Sequence, residues 1–205
     1  MNGVTEKTPS RIPFGAGFYF SGVPYNEKVA PTEEEMRAGV LGATQEGGSV
    51  NITPVLFKPE LDDVWVDVME LEKKMGETAT MEVSFAEISA KSMAHSVIGN
   101  LGETTDKKYD VVTSSTILRA GHYYEGFGFC GQLYDGRQMI IVFKRALCTN
   151  GFPFEPKSKT NTLWKGTFAC RSDLEYGTVK LPYAIFIHKE EGWVAVDPDE
   201  VAVAA

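Results

Sequence analysis

The chain has 205 residues, a length that suits one domain, and its 43% hydrophobic and 23% charged residues are enough to build a sizeable core. Its 28 acidic residues outnumber 20 basic ones, giving a net charge of −8, which favours solubility and disfavours nucleic-acid binding. The N-terminus has no apolar leader and no run reaches membrane-span length, so the expectation is a chain made and folded in a reducing cytosol.

Residues 1–14 are polar, contain Pro9 and Pro13, and read as an arm. Gly17-Phe-Tyr-Phe-Ser21 reads as a short aromatic strand. Residues 22–49 follow as a long connection, with Pro24, Pro31 and the pair Gly47-Gly48. Within it Thr32 and Glu35 have capping-box spacing and could open a short helix. So long a link in a compact domain implies a partner surface, and a neighbouring copy is the expected one.

Val50–Phe57 and Val64–Leu71 are strand-like, with the acidic link Lys58-Pro-Glu-Leu-Asp-Asp63 between them. Lys73-Lys-Met-Gly-Glu77 reads as a turn. Thr80–Phe85 alternates, with Met81, Val83 and Phe85 on one face and Thr80, Glu82 and Ser84 on the other, the mark of a half-buried strand. Ser89 is a good N-cap, and Ala90, Met93, Ala94, Val97 and Ile98 recur with helical spacing. These predict a helix over 89–99, closed by Gly99-Asn100, with that stripe on a sheet and His95 on the solvated side. Further on, Asp135-Gly136 between two apolar runs predicts a two-residue hairpin. Leu163–Arg171 and Tyr183–His188 supply two more strands. About eight strands and one confident helix place the chain in the mainly-β class, as a β-sandwich or partial barrel with one flanking helix and a long N-terminal arm. The expected division is an arm and first strand at 1–40, a β domain at 41–190 and a C-terminal arm at 191–205.

Motifs for chemistry are sparse. Gly126-Phe-Gly-Phe-Cys-Gly131 matches GxGxxG, but a dinucleotide site needs those glycines between a strand and a helix. Here they run into a hairpin, so close backbone approach is the better account. His95, His122 and His188 are far apart in sequence with no metal-pair spacing. Cys130, Cys148 and Cys170 form no CxxC pair, and each sits in an apolar strand-like stretch, so buried reduced thiols are expected. Neither a nucleophile elbow nor a Walker loop occurs, and the acidic clusters lack the spacing of a calcium loop. The expectation is a chain that is no enzyme, with no catalytic residue, cofactor or metal.

The segment Leu41-Gly-Ala-Thr-Gln-Glu-Gly-Gly-Ser-Val-Asn-Ile-Thr-Pro54 resembles the turn into the tube sheet of tailed-bacteriophage major tail proteins. Ala16-Gly-Phe-Tyr-Phe20 is similar to the early strand of that family. The alternating strand that runs through Glu87 into a short helix recurs in its tube subunits. The likeness covers roughly residues 15–100 and rests on order and texture. Gln45-Glu46 departs from it, standing where the family pattern often goes straight on to the glycine pair.

The resemblance implies a structural subunit of the virion tail, assembled in the bacterial host cytoplasm. Hexameric rings would stack into a tube through which DNA passes without specific binding and without membrane insertion of the subunit. Its partners would be copies of itself, a tape measure protein, and terminator or baseplate proteins. Candidate inter-subunit contacts are Phe14, Phe18, Tyr19, Phe20 and Tyr25; candidate carboxylates facing the lumen are Asp67, Glu70 and Glu82. The alternatives are an inner tube protein of a contractile injection or type VI-like machine and, in a different class, a monomeric β-sandwich module that binds a ligand.

Overall fold

A computed structural model describes residues 13–60, 68–154, 156, 161–174, 177 and 180–189, with backbone only at 13–16. The described chain is mainly β. Its strands are β1 (Pro13–Phe20), β2 (Thr44–Phe57), β3 (Lys73–Phe85), β4 (Gly99–Glu103), β5 (Asp110–Ser114), β6 (Tyr124–Leu133), β7 (Gln138–Cys148), β8 (Trp164–Cys170) and β9 (Tyr183–Ile187). Two short helices, α1 (Glu33–Ala38) and α2 (Ala90–Ser96), complete it.

Seven strands form one antiparallel sheet in the order β1-β6-β7-β8-β3-β2. The second edge of β7 is shared: Met139–Phe143 pair with β9, while Ala146–Cys148 pair with β8. β1 is approached by the segment leading into β2 and by a side chain of β3. The Leu41 N–H donates to the Tyr19 carbonyl at 3.0 Å, Phe20 bridges Val40, and the Tyr19 ring lies 6.4 Å from Phe85 of β3. These contacts bring β1 and β3 to one shared interior.

Alternation fills the interior. Met81, Val83, Phe85, Phe127, Ile141, Phe143, Trp164 and Phe168 are buried there, with Phe85 stacked on Trp164 at 4.9 Å and Phe127 on Phe168 at 4.4 Å. A second cluster lies on the other face of the sheet, where Phe20, Val23 and Met36 cover Cys130, Ile140 and Val142. Met36 comes from α1, whose capping box forms as the sequence predicts: the Glu35 N–H donates to Thr32 Oγ1 at 3.3 Å and the Thr32 N–H to Glu35 Oε2 at 2.9 Å.

Several sequence expectations need correction. β1 has an intrachain partner, β6, so residues from Pro13 onward belong to the sheet of the β domain, while residues 1–12 lie outside the described residues. The long link has its partner surface too, because Val23 and Met36 pack on the chain's own sheet. Lys73–Glu77 is the start of β3 rather than a turn, and Met69–Leu71 form a 3-10 turn rather than a strand end; Val64–Asp67 lie outside the described residues, as does the C-terminal segment 191–205. The β4–β5 hairpin is not among the expected elements, whereas α1 forms where the Thr32–Glu35 spacing places a short helix.

α2 also ends earlier than its pattern predicts. Val97 is exposed, Ile98 sits in the left-handed region at φ 53°, and Gly99-Asn100 open β4 instead of closing the helix. Its buried face carries Ser92, Ala94 and Ser96. Burying serines is tolerable because the Ser96 hydroxyl donates to the Ser92 carbonyl at 2.6 Å.

The β6–β7 turn is at Asp135-Gly136 as predicted, but its loop has three residues, Tyr134 to Gly136, rather than two. The Gly136 N–H donates to the Leu133 carbonyl at 2.9 Å and Gly136 takes φ 84°, the left-handed position of this turn class. The glycine run 126–131 lies within β6 and leads into this hairpin. Gly126 has φ 55°, and a Cβ there would strike the Val23 carbonyl, so only glycine lets the 22–25 segment lie on the sheet. All three cysteines are free and buried, as the sequence implies, and burial pushes Cys130 up to about 11 and Cys170 up to about 12.

Candidate functional site

Two features stand apart from the core. The first is the ribbon formed by β2 and β3. β8 covers β3 only from Thr80 to Phe85, so among the described residues Lys73–Ala79 pair with β2 alone. Beyond that point the ribbon carries Val55, Leu56, Phe57 and Met75, each about half exposed, with Met69 at 79% just past the tip. A Lys58–Glu72 ion pair of 3.0 Å spans its end. Among the described residues β2 is also an edge strand, fourteen residues long and mostly exposed, with no strand paired on its outer side. Pro54 fits there because an edge strand can spare an N–H. Exposed apolar side chains grouped on an edge are what a partner surface needs.

The candidate contact residues do not gather on this ribbon. Tyr19 and Phe20 are 4% and 0% exposed in the chain's own core, which leaves no side-chain surface for a neighbour. Phe18 and Tyr25 are half-buried against the outer-face cluster. Phe14 pairs through its backbone with Gln132. Of the candidate carboxylates, Glu82 is exposed on β3 and accepts from Ser49 Oγ at 3.3 Å, and Glu70 is exposed on the 3-10 turn. Asp67 lies outside the described residues. The ribbon's apolar tip was missed because Val50–Phe57 reads as an ordinary strand; only the charged flanks Lys58 and Lys73-Lys74 hint that it runs into solvent.

The second feature is a cavity of about 440 Å³ between α2, β4 and the turn at Ala120–His122. Lys91, His95, Arg119 and His122 line it, with Ala94 and Leu101 as apolar wall, and no carboxylate lines it among the described residues. His122 is buried, and its Nδ1 accepts from the Arg119 N–H at 3.0 Å, which places the proton of the neutral ring on Nε2. The His95 ring lies 4.4 Å from that of Tyr124, tilted by 41°, and its Nδ1 is buried without a hydrogen-bond partner among the described residues. Such an orphan costs about 1–3 kcal/mol.

Burial first, then the nearby charges of Lys91 and His122, hold the His95 pKa below its usual value. His95 is therefore not on a solvated helix face, a correction to the sequence reading. Its neighbour His122 is distant in the chain, and no spacing signal joins them. His188, at the end of β9, is exposed and apart from both.

Among the described residues no group of three or more His, Cys, Asp or Glu side chains is arranged to hold a metal ion, and no helix is long and apolar enough to cross a membrane. No protein-family model matches the chain, and comparison with curated proteins gives no match.

Proposed function

We propose that this chain is a structural subunit of a tailed-phage tail tube, forming hexameric rings that stack into a conduit for DNA ejection. The observation that carries this reading is the β2–β3 ribbon: a long edge strand ending in Val55, Leu56 and Phe57, all half exposed. An apolar tip on a two-stranded ribbon is a cost in an isolated chain and an asset in an assembly, where a neighbour buries it. A repeated heterologous contact of this kind closes rings or builds stacks, as a tube requires.

The net charge of −8 supports the conduit part of the reading, because a negative wall gives phosphate nowhere to settle. The structural role fits a virion tail made in the host cytoplasm, with the tape measure, terminator and baseplate proteins as further partners. Size exclusion of the purified chain followed by negative-stain imaging tests the reading. Rings or tubes are expected. A species that stays at the monomer mass of 22.5 kDa at all concentrations rejects it and favours the monomeric ligand-binding module.

A further inference from the structure

We propose that the cavity between α2, β4 and the Ala120–His122 turn is a binding site for a phosphate-class oxyanion. The proposal goes beyond the tube reading and is independent of it, since the cavity is built within one chain. In a chain carrying −8, this concave patch has Lys91, His95, Arg119 and His122 on its wall and no carboxylate among the described residues. Neither Lys91 nor Arg119 forms an ion pair with a carboxylate among the described residues, so their charges remain available.

The donor chemistry selects a tetrahedral oxyanion over a carboxylate. Arg119 offers a planar fork of N–H groups, Lys91 a compact ammonium, and His122, its Nδ1 already committed to the Arg119 N–H, offers its Nε2–H. Donors from several elements converging on one cavity match an anion with oxygens on several sides better than a flat two-oxygen group. The volume of about 440 Å³ falls within the range of small-molecule sites, and Ala94 and Leu101 leave an apolar surface for the organic part of a monoester.

The test is a titration of the full chain with inorganic phosphate, read by proton–nitrogen spectra of the histidine rings. His95 and His122 should shift together and saturate with a Kd of roughly 1 mM or tighter. Lys91→Gln and Arg119→Gln, both at exposed positions, should each weaken binding roughly tenfold, while Lys165→Gln, outside the cavity, should leave it unchanged. A parallel titration with phenyl phosphate separates the sources: tighter binding assigns a monoester, equal binding the free ion. Absence of histidine shifts, identical shifts with sodium chloride at matched ionic strength, or a Kd indifferent to Arg119→Gln would overturn the proposal.

Discussion

The Glu77 carboxylate on β3 accepts a hydrogen bond from the Leu181 backbone N–H at 2.8 Å, tying the root of the ribbon to a segment 104 residues away. Lys74 Nζ at 2.5 Å and the Tyr183 hydroxyl at 3.4 Å also donate to it, and its side chain is only 4% exposed. Glu77 is thus a polar tie between β3 and the approach to β9, beside the packing of Leu181 and Tyr183 on the core. Glu77→Ala leaves the Leu181 N–H without its acceptor and should cost about 2–3 kcal/mol in urea unfolding, with Glu77→Gln retaining part of that.

The same contact predicts a pH dependence. Burial pushes the Glu77 carboxyl up, but the Lys74, Leu181 and Tyr183 bonds outweigh it and hold the group below its usual range. A lowered folded-state pKa contributes stability above the unfolded value of about 4.3, and that stability is lost as pH falls through the lower folded value. The gap between wild type and Glu77→Gln should therefore be full at neutral pH and shrink below about pH 4. A gap that stays constant down to acid unfolding would mean that the charge contributes nothing.

Ile98 at φ 53° carries a β-branched side chain in a region that favours glycine. Ile98→Gly relieves about 1–2 kcal/mol of strain, which offsets the loss of a half-buried side chain and the added chain entropy. The variant should fall within about 1 kcal/mol of wild type. Phe168→Ala, at a fully buried position between Phe127 and Trp164, should cost about 3–5 kcal/mol in the same experiment. A large loss at Ile98 would show that its side chain is part of the core.

How far the sequence carries can be judged at these places. Thr80–Phe85 is legible because Met81, Val83 and Phe85 are apolar and buried while the intervening residues are polar, even though Ser84 among them is buried, so the period of two is written in residue type. The Thr32–Glu35 cap and the Asp135-Gly136 turn are legible because their chemistry is local. Lys73–Gly76 is not, because a ribbon end paired on one edge has no buried face to impose alternation, and Gly76 after two lysines imitates a turn. The β1–β6 pairing joins residues more than a hundred positions apart, and no local signal reports it. In α2 the apolar stripe misleads: packing buries Ser92 and Ser96, whose hydroxyls are satisfied within the helix and its cap, and leaves Val97 in water.

The ribbon tip gives the sharpest test of assembly. Leu56→Asp with Phe57→Asp changes side chains that are 51% and 53% exposed, so the monomer should lose no more than about 0.5 kcal/mol per site. If a neighbour buries that tip, two charges there abolish ring stacking outright, since an unpaired buried charge is far costlier than the contact it replaces. Imaging and sedimentation should find folded protein with no tubes. Normal tubes from this variant would remove the ribbon from the interface.

The last prediction concerns the wall of the conduit. Glu82 projects from β3 on the face opposite Met81 and Val83, where alternation directs it away from the core, and Glu70 is exposed on the 3-10 turn. If a closed ring turns this face of the sheet toward its bore, these carboxylates repeat around every ring and give the passage a uniformly repulsive lining. Duplex DNA would then find no resting place, because binding strength grows with each phosphate that a cation neutralises. Glu82→Lys together with Glu70→Lys reverses the sign at both positions, which are exposed and so leave the fold intact. Wild-type tubes should release DNA fragments at low salt, while double-variant tubes should retain them and let go as salt rises, the signature of counterion release. Retention by neither, with a reconstruction placing both residues on the outer surface, would reject an acidic lumen built from these positions.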